Sequence, residues 1–167
     1  MKLAIMADLH DNKEYLRIFL NYCKKEKVET ILCVGDITTQ KVLVHIDKNI
    51  DCPMYYIAGN AEIFTDKEAK EQKLKNITYL GRTGIIELAN KKIGLCHEPE
   101  FIEKLLKEKP DIIFHGHTHK PWLEKKNNSL IVNPGTLGGF SYQSTFAVWD
   151  TEKKEPELIL SNLLEIV

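Results

Sequence analysis

A chain of 167 residues is long enough for one well-buried core and too short for two of ordinary size. Its 43% hydrophobic and 28% charged residues match a typical folded protein and exclude a disordered, collagenous or disulfide-built one. With 23 basic against 24 acidic residues the formal charge is -1, so no global field draws the chain to nucleic acid or an anionic membrane, and an anionic ligand needs a local attractor.

The apolar run Lys2 to Ala7 is too brief for a helix and reads as a buried strand stopping at Asp8. After an N-cap at Asp11-Asn12, the stretch to Lys27 places Leu16, Phe19, Leu20 and Cys23 on one face, which predicts an amphipathic helix. Thr30 to Val34 is the next strand, ending at Gly35-Asp36. A helix with Val42, Leu43 and Ile46 follows, then a strand from Met54 to Ala58 ending at Gly59-Asn60. This repeated rhythm predicts parallel strands joined by crossovers. Thr65 to Lys75 is almost wholly charged and reads as an exposed helix. Gly84 to Leu88 and Lys92 to Leu95 flank Ala89-Asn90-Lys91 as a hairpin. Phe101 to Lys109 reads as a short helix closed by Pro110, and Asp111 to Phe114 as a strand leading into His115-Gly116-His117-Thr118-His119. Three further strand-like runs occupy Ser129 to Val132, Thr145 to Trp149 and Leu158 to Leu160. With no repeat or linker, one domain over residues 1–167 is expected.

Four cysteines, at positions 23, 33, 52 and 96, make no Cys-x-x-Cys pair, which argues against a disulfide framework and a thiolate metal site and fits a reducing compartment. The opening apolar run lacks a small-residue cleavage site, and no run of about eighteen apolar residues occurs. A cytoplasmic chain with no membrane partner is the expectation.

In sheets built from crossover units, functional groups gather beyond the carboxyl ends of the strands. Here Asp8 and His10 follow the first strand, Asp36 the second, Asn60 the third, His97 the hairpin, and His117 with His119 the strand at 111–114. Taken singly, Asp8 reads as a strand-end cap, Asp36 and Asn60 as turn formers after glycine, and His97 as a structural histidine. Jointly, seven candidate ligands at five strand ends favour a metal site. Carboxylate, imidazole and amide donors suit manganese, iron or zinc. Seven are too many for one tetrahedral ion, but they suit two cations about 3.5–4 Å apart sharing a carboxylate, for which Asp36 is the natural choice.

In that order, Asp8-x-His10, Gly35-Asp36, Gly59-Asn60, His97 and Gly116-His117-Thr118-His119 resemble the calcineurin-like metallophosphoesterases over nearly the whole chain. Length, spacing and Asn133-Pro134-Gly135-Thr136 are most similar to the small phosphodiesterases of bacteria and archaea, whose relatives include the phosphoesterase-like subunit of the retromer coat. The resemblance implies an α/β fold, a two-layer mixed β-sandwich flanked by helices. It implies a first ion held by Asp8, His10, Asp36 and His119 and a second by Asp36, Asn60, His97 and His117. Asp36, Asn60, His97 and His117 are then also the catalytic set, around a metal-bridging hydroxide that attacks phosphorus in line. Manganese is the first choice of metal, with nickel, zinc or iron as alternatives, and the substrate a small phosphodiester.

Many members of that family carry histidine directly after Gly-Asn, where this chain has Ala61, which cannot protonate a leaving oxygen. Diesters with good leaving groups are therefore expected. Glu62 reads either as a brace for a ligand loop or as a surface carboxylate, and Asn133 to Thr136 as a loop beside the site or a plain turn. His115 reads slightly better as a packing residue than as a substrate contact, Cys96 as a buried small hydrophobe, and His45 as structural. Core packing is the default for Trp122 and Tyr142. The competing functional reading is a scaffold that keeps the fold without catalysis. A nucleic-acid polymer is not expected, since the lysines are mostly interleaved with glutamates. A homo-oligomer is left open.

Overall fold

The computed structural model describes residues 1–164, so the last three positions of the expected domain, 165–167, lie outside the described residues. In chain order the elements are β1 (Lys2–Met6), α1 (Lys13–Lys25), β2 (Thr30–Cys33), α2 (Gln40–Asn49), β3 (Met54–Tyr56), α3 (Asp66–Glu71), β4 (Ile77–Tyr79), β5 (Thr83–Leu88), β6 (Lys91–Cys96), α4 (Ile102–Leu106), β7 (Ile112–Phe114), β8 (Trp122–Lys126), β9 (Ser129–Asn133), β10 (Thr145–Asp150) and β11 (Glu157–Leu160). They form two mixed sheets flanked by helices. The first runs β11-β10-β1-β2-β3-β4, with β1 to β4 parallel and β10 antiparallel to β1; the second runs β5-β6-β7-β9-β8, with β6, β7 and β9 parallel.

Alternation along the strands builds the layers. Leu3 and Ile5 of β1, with Leu32, face Leu95 and Phe114 of the second sheet, while Ala4 and Met6 face the opposite way, toward Leu16 and Phe19 of α1 and Leu43 and Ile46 of α2. Both faces of β1 and β2 are thus covered, which is why these strands read as unbroken apolar runs. On the far face of the second sheet, Cys96 and Ile113 lie under Leu105 of α4. Cys96 is therefore the buried small hydrophobe its position implied, and all four cysteines are free.

Several elements differ from expectation. The charged tract gives only α3, started by a capping box between Thr65 and Glu68. Its continuation is pulled out of helix because the Asp47 carboxylate accepts the backbone N–H groups of Lys75 and Asn76, at 3.1 and 2.7 Å, and feeds β4. The predicted helix at 101–109 is a 3-10 turn over Pro99–Phe101 followed by α4 alone. Strand β8 was not predicted: all five of its residues are exposed, so it carries no apolar alternation, and antiparallel pairing with β9 defines it instead. Core packing fails for Trp122 and Tyr142, which are 51% and 47% exposed; Trp122 stands on this uncovered edge strand and Tyr142 on an outer loop. Among the described residues no helix is long and apolar enough to cross a membrane.

Candidate metal centre

All seven residues singled out from the sequence meet at one edge of the sandwich, beyond the ends of β1, β2, β3, β6 and β7. Their backbone is unusual. Asp8, His10, Asp36, His117 and His119 all adopt left-handed conformations, with φ of 53°, 48°, 59°, 71° and 59°. Each costs about 1–3 kcal/mol for a side chain other than glycine and persists only where surrounding contacts impose it. Those contacts are visible: the Asp8 N–H donates to the Gly35 carbonyl at 3.0 Å and the His10 N–H to that of Asp36 at 2.9 Å, knitting the first two loops together. Two glycines permit the close approach. A Cβ on Gly59 would stand 2.2 Å from Asp36 Oδ1, and one on Gly116 2.8 Å from Asp8 Oδ2.

The side-chain atoms converge. Asp36 Oδ2 lies 3.2 Å from His97 Nε2 and 3.7 Å from His10 Nε2. Asp8 Oδ1 lies 3.2 Å from His119 Nε2 and 3.9 Å from His97 Nε2. Asn60 Oδ1 faces both His97 Nε2, at 3.1 Å, and His117 Nδ1, at 2.8 Å. Two sets of potential ligand atoms come within 4.8 Å of one another, Asp8-His10-His119 and Asp8-Asp36-His97. Asp8 belongs to both, so two carboxylates, not Asp36 alone, stand at the centre.

The donor chemistry fits cations. His97 Nδ1 is 2.8 Å from the Val34 carbonyl and His119 Nδ1 3.1 Å from that of Phe140; each can only donate there, which turns an Nε2 lone pair inward. His10 Nε2 and His119 Nε2 face each other at 3.2 Å, close enough to share one proton or to hold one cation between them. Burial raises the Asp8 carboxyl to about 6, although His97 and His119 pull it down. Burial also opposes charge on Asp36, but hydrogen bonding and attraction to His97 outweigh it and hold this carboxyl at about 2. His97 is disfavoured as a cation by burial, yet Asp36 and Asp8 lift it to about 9. Two buried carboxylates therefore create a strong demand for positive charge at this point.

The surrounding residues fix the loops. Glu62 is a brace, as one of its two readings had it: Oε1 accepts from the Ile37 N–H at 3.1 Å and the Tyr56 hydroxyl at 2.7 Å, and Oε2 from the Gly59 N–H at 2.9 Å. Arg82 donates to the Gly59 carbonyl. The Ala61 N–H donates to Asp36 Oδ1 at 2.8 Å, leaving Oδ2 free to face the cluster. Asn133 donates to the Gly116 carbonyl at 3.0 Å and to Thr118 Oγ1 at 2.9 Å, and the Thr136 hydroxyl donates to the Asp8 carbonyl at 2.9 Å; this loop shapes the site. Nothing in the sequence pattern points to Tyr56, Arg82 or the Phe140 carbonyl. Backbone carbonyls carry no residue signal, and Tyr56 looks like any strand aromatic. His115 is buried on the opposite side of β7 from the cluster, with Nδ1 3.1 Å from the Gly116 carbonyl, and His45 is exposed on α2, outside it.

Two mixed sheets carrying aspartate, asparagine and histidine at convergent strand ends define a metal-dependent phosphoester hydrolase in architecture and donor set. Residues 1–154 match the calcineurin-like phosphoesterase superfamily domain, and the chain belongs to that family. Among curated proteins it is similar to a phosphodiesterase of Methanocaldococcus jannaschii, with 28% identity over 166 residues, 93% of this chain and 96% of the relative. Among solved structures it is similar to an archaeal phosphodiesterase, with a TM-score of 0.85 and 26% identity over 96% of this chain and 99% of the other. The fold is shared with vacuolar protein sorting 29 of Cryptosporidium parvum, at a TM-score of 0.66 and 21% identity, covering 95% of each chain.

Proposed function

We propose that this chain hydrolyses small phosphodiesters with two divalent cations, manganese in the first instance and nickel, zinc or iron as alternatives. The observation that carries the reading is the convergence of Asp8, His10, Asp36, His97 and His119 on one strand-end edge, with two buried carboxylates at its centre and with Asn60 and His117 joined to them through His97. Asp8, His10, Asp36 and His119 would hold one ion and Asp36, Asn60, His97 and His117 the other, with Asp8 placed to reach both. Bound there, the cations would lower the pKa of water and neutralise phosphoryl oxygens.

The chain's own groups do the positioning. Asp36 is fixed through Oδ1 by the Ala61 N–H and presents Oδ2. Asn60 and His117 are exposed and paired with each other, so they face an arriving phosphate. The Ala61 methyl has no proton to give a leaving oxygen, and the reading therefore includes a preference for diesters whose leaving group departs unaided. Metal-depleted protein reloaded separately with manganese, nickel, zinc or iron should cleave bis(p-nitrophenyl) phosphate, with manganese giving the highest rate. Absence of turnover on any phosphoester despite two bound ions favours a scaffold, a reading to which the missing acid at Ala61 lends some support.

A further inference from the structure

A cleft of about 410 Å³ opens on the outer face of the second sheet, where α4 stops short of β8. Its floor is Ile131, one wall is Pro99 and Ile102, and the other is Trp122 and Glu124, which share a face of β8 at i and i+2. His115, Thr118 and Lys120 close the side nearest the metal centre. In the loop from 115 to 120, then, His117 and His119 turn to the metal cluster while the residues between and beside them line the cleft. His115 and His117 are two residues apart, so the backbone that lines the cleft and the backbone that carries the cluster lie within about 7 Å of each other.

We propose that this cleft receives a nucleobase, one ester substituent of the phosphodiester whose phosphate lies at the metal centre; the inference rests on the phosphodiesterase reading above. Trp122 offers an exposed indole face, which stacks on any flat base. Lys120 Nζ, next in sequence to His119, stands over one face of that ring at 5.5 Å from its centroid, so a base stacks on the indole by swinging this flexible side chain aside or by taking the other face. Glu124, on the same face of β8, supplies a carboxylate acceptor for the exocyclic amino group of adenine, guanine or cytosine, which selects such a base over a plain aryl ring. Tyr142 rims the mouth.

The protein reports its own occupancy. Of two tryptophans, Trp149 is 3% exposed and its indole N–H donates to the Lys153 carbonyl, so a ligand in the cleft acts on Trp122 emission. Adenosine monophosphate added to the metal-free full chain should quench emission saturably, and ribose phosphate should not. Inosine monophosphate, lacking the amino group, and phenyl phosphate should need higher concentrations, and Glu124→Gln should narrow the gap between the two nucleotides. In Trp122→Phe the saturable quenching should vanish. In the metal-loaded enzyme, the p-nitrophenyl ester of adenosine monophosphate should exceed methyl p-nitrophenyl phosphate in kcat/KM by at least about five-fold, the lower end of one stacking interaction, and Trp122→Ala should remove that advantage. Equal kcat/KM for the two esters, absence of saturable quenching, quenching that survives Trp122→Phe, or an equal response to phenyl phosphate each overturns the proposal. If quenching occurs and neither ester is cleaved, the phosphodiesterase reading fails while the base-binding cleft stands.

Discussion

The candidate metal centre has a floor and a rim that are built differently. On the floor, Asp8, Asp36 and His97 are essentially inaccessible, and each is tied to protein groups: Asp8 to the His117 N–H at 3.1 Å, Asp36 to the Ala61 N–H, His97 to the Val34 carbonyl. On the rim, Asn60 and His117 are exposed, and their side chains meet chiefly each other and His97. Burial and hydrogen bonds to protein groups set the floor side chains before any ligand arrives, whereas the exposed rim side chains are held by little beyond each other and His97. Removing a floor residue should therefore destroy the site, and removing a rim residue should weaken it.

The largest effect is expected at Asp36. Asp36→Ala deletes a central carboxylate facing both His97 and His10, and activity should fall by at least roughly 10³-fold, given that metal activation contributes several kcal/mol. Metal analysis of the purified variant should find fewer than two ions per chain, with far-UV circular dichroism unchanged. His117→Ala removes a rim donor and should cost roughly 10²-fold, comparable to losing one group that stabilises the transition state, while at least one ion stays bound. Equal losses in both variants would break the distinction between floor and rim.

The floor was legible in the sequence because its residues punctuate strand ends: Asp8, Asp36 and His97 each interrupt an apolar run, and their joint order resembles a family. The rim's Asn60 and His117 were legible for the same reason. What holds them was mostly not. Glu62 admitted two readings because its partners, the Ile37 and Gly59 amides and the Tyr56 hydroxyl, converge only after β2 and β3 pair. Strand β8 escaped because an edge strand with five exposed residues has no burial pattern to read, and the cleft beside Trp122 escaped with it.

Glu62 supports the loops of both regions, and it offers the next test. Glu62→Gln keeps the shape but replaces one acceptor oxygen with an amide NH₂, so one of the two loops loses its anchor. Metal affinity should drop about 10–100-fold, as for other groups that orient ligands from behind, and titration of the metal-free variant with manganese measures it. An unchanged affinity would show that strain and the neighbouring glycines suffice without the brace.

The smallest expected effect lies at the rim, at position 61. Its backbone serves the floor, through the 2.8 Å hydrogen bond to Asp36, and its side chain serves nothing at the floor. Ala61→His keeps the N–H, so metal affinity should hold, while a proton donor now stands beside Asn60. Wild-type rates across a series of aryl diesters should fall steeply as leaving-group pKa rises, because the departing oxygen carries its charge unassisted; a flat series removes the argument from Ala61. In the variant the slope should be shallower, with the poorest leaving group gaining roughly tenfold, short of the 10²–10⁴ that a tuned general acid supplies. A gain confined to poor leaving groups separates proton donation from any general change at the metals, since a better-placed floor would raise every rate alike.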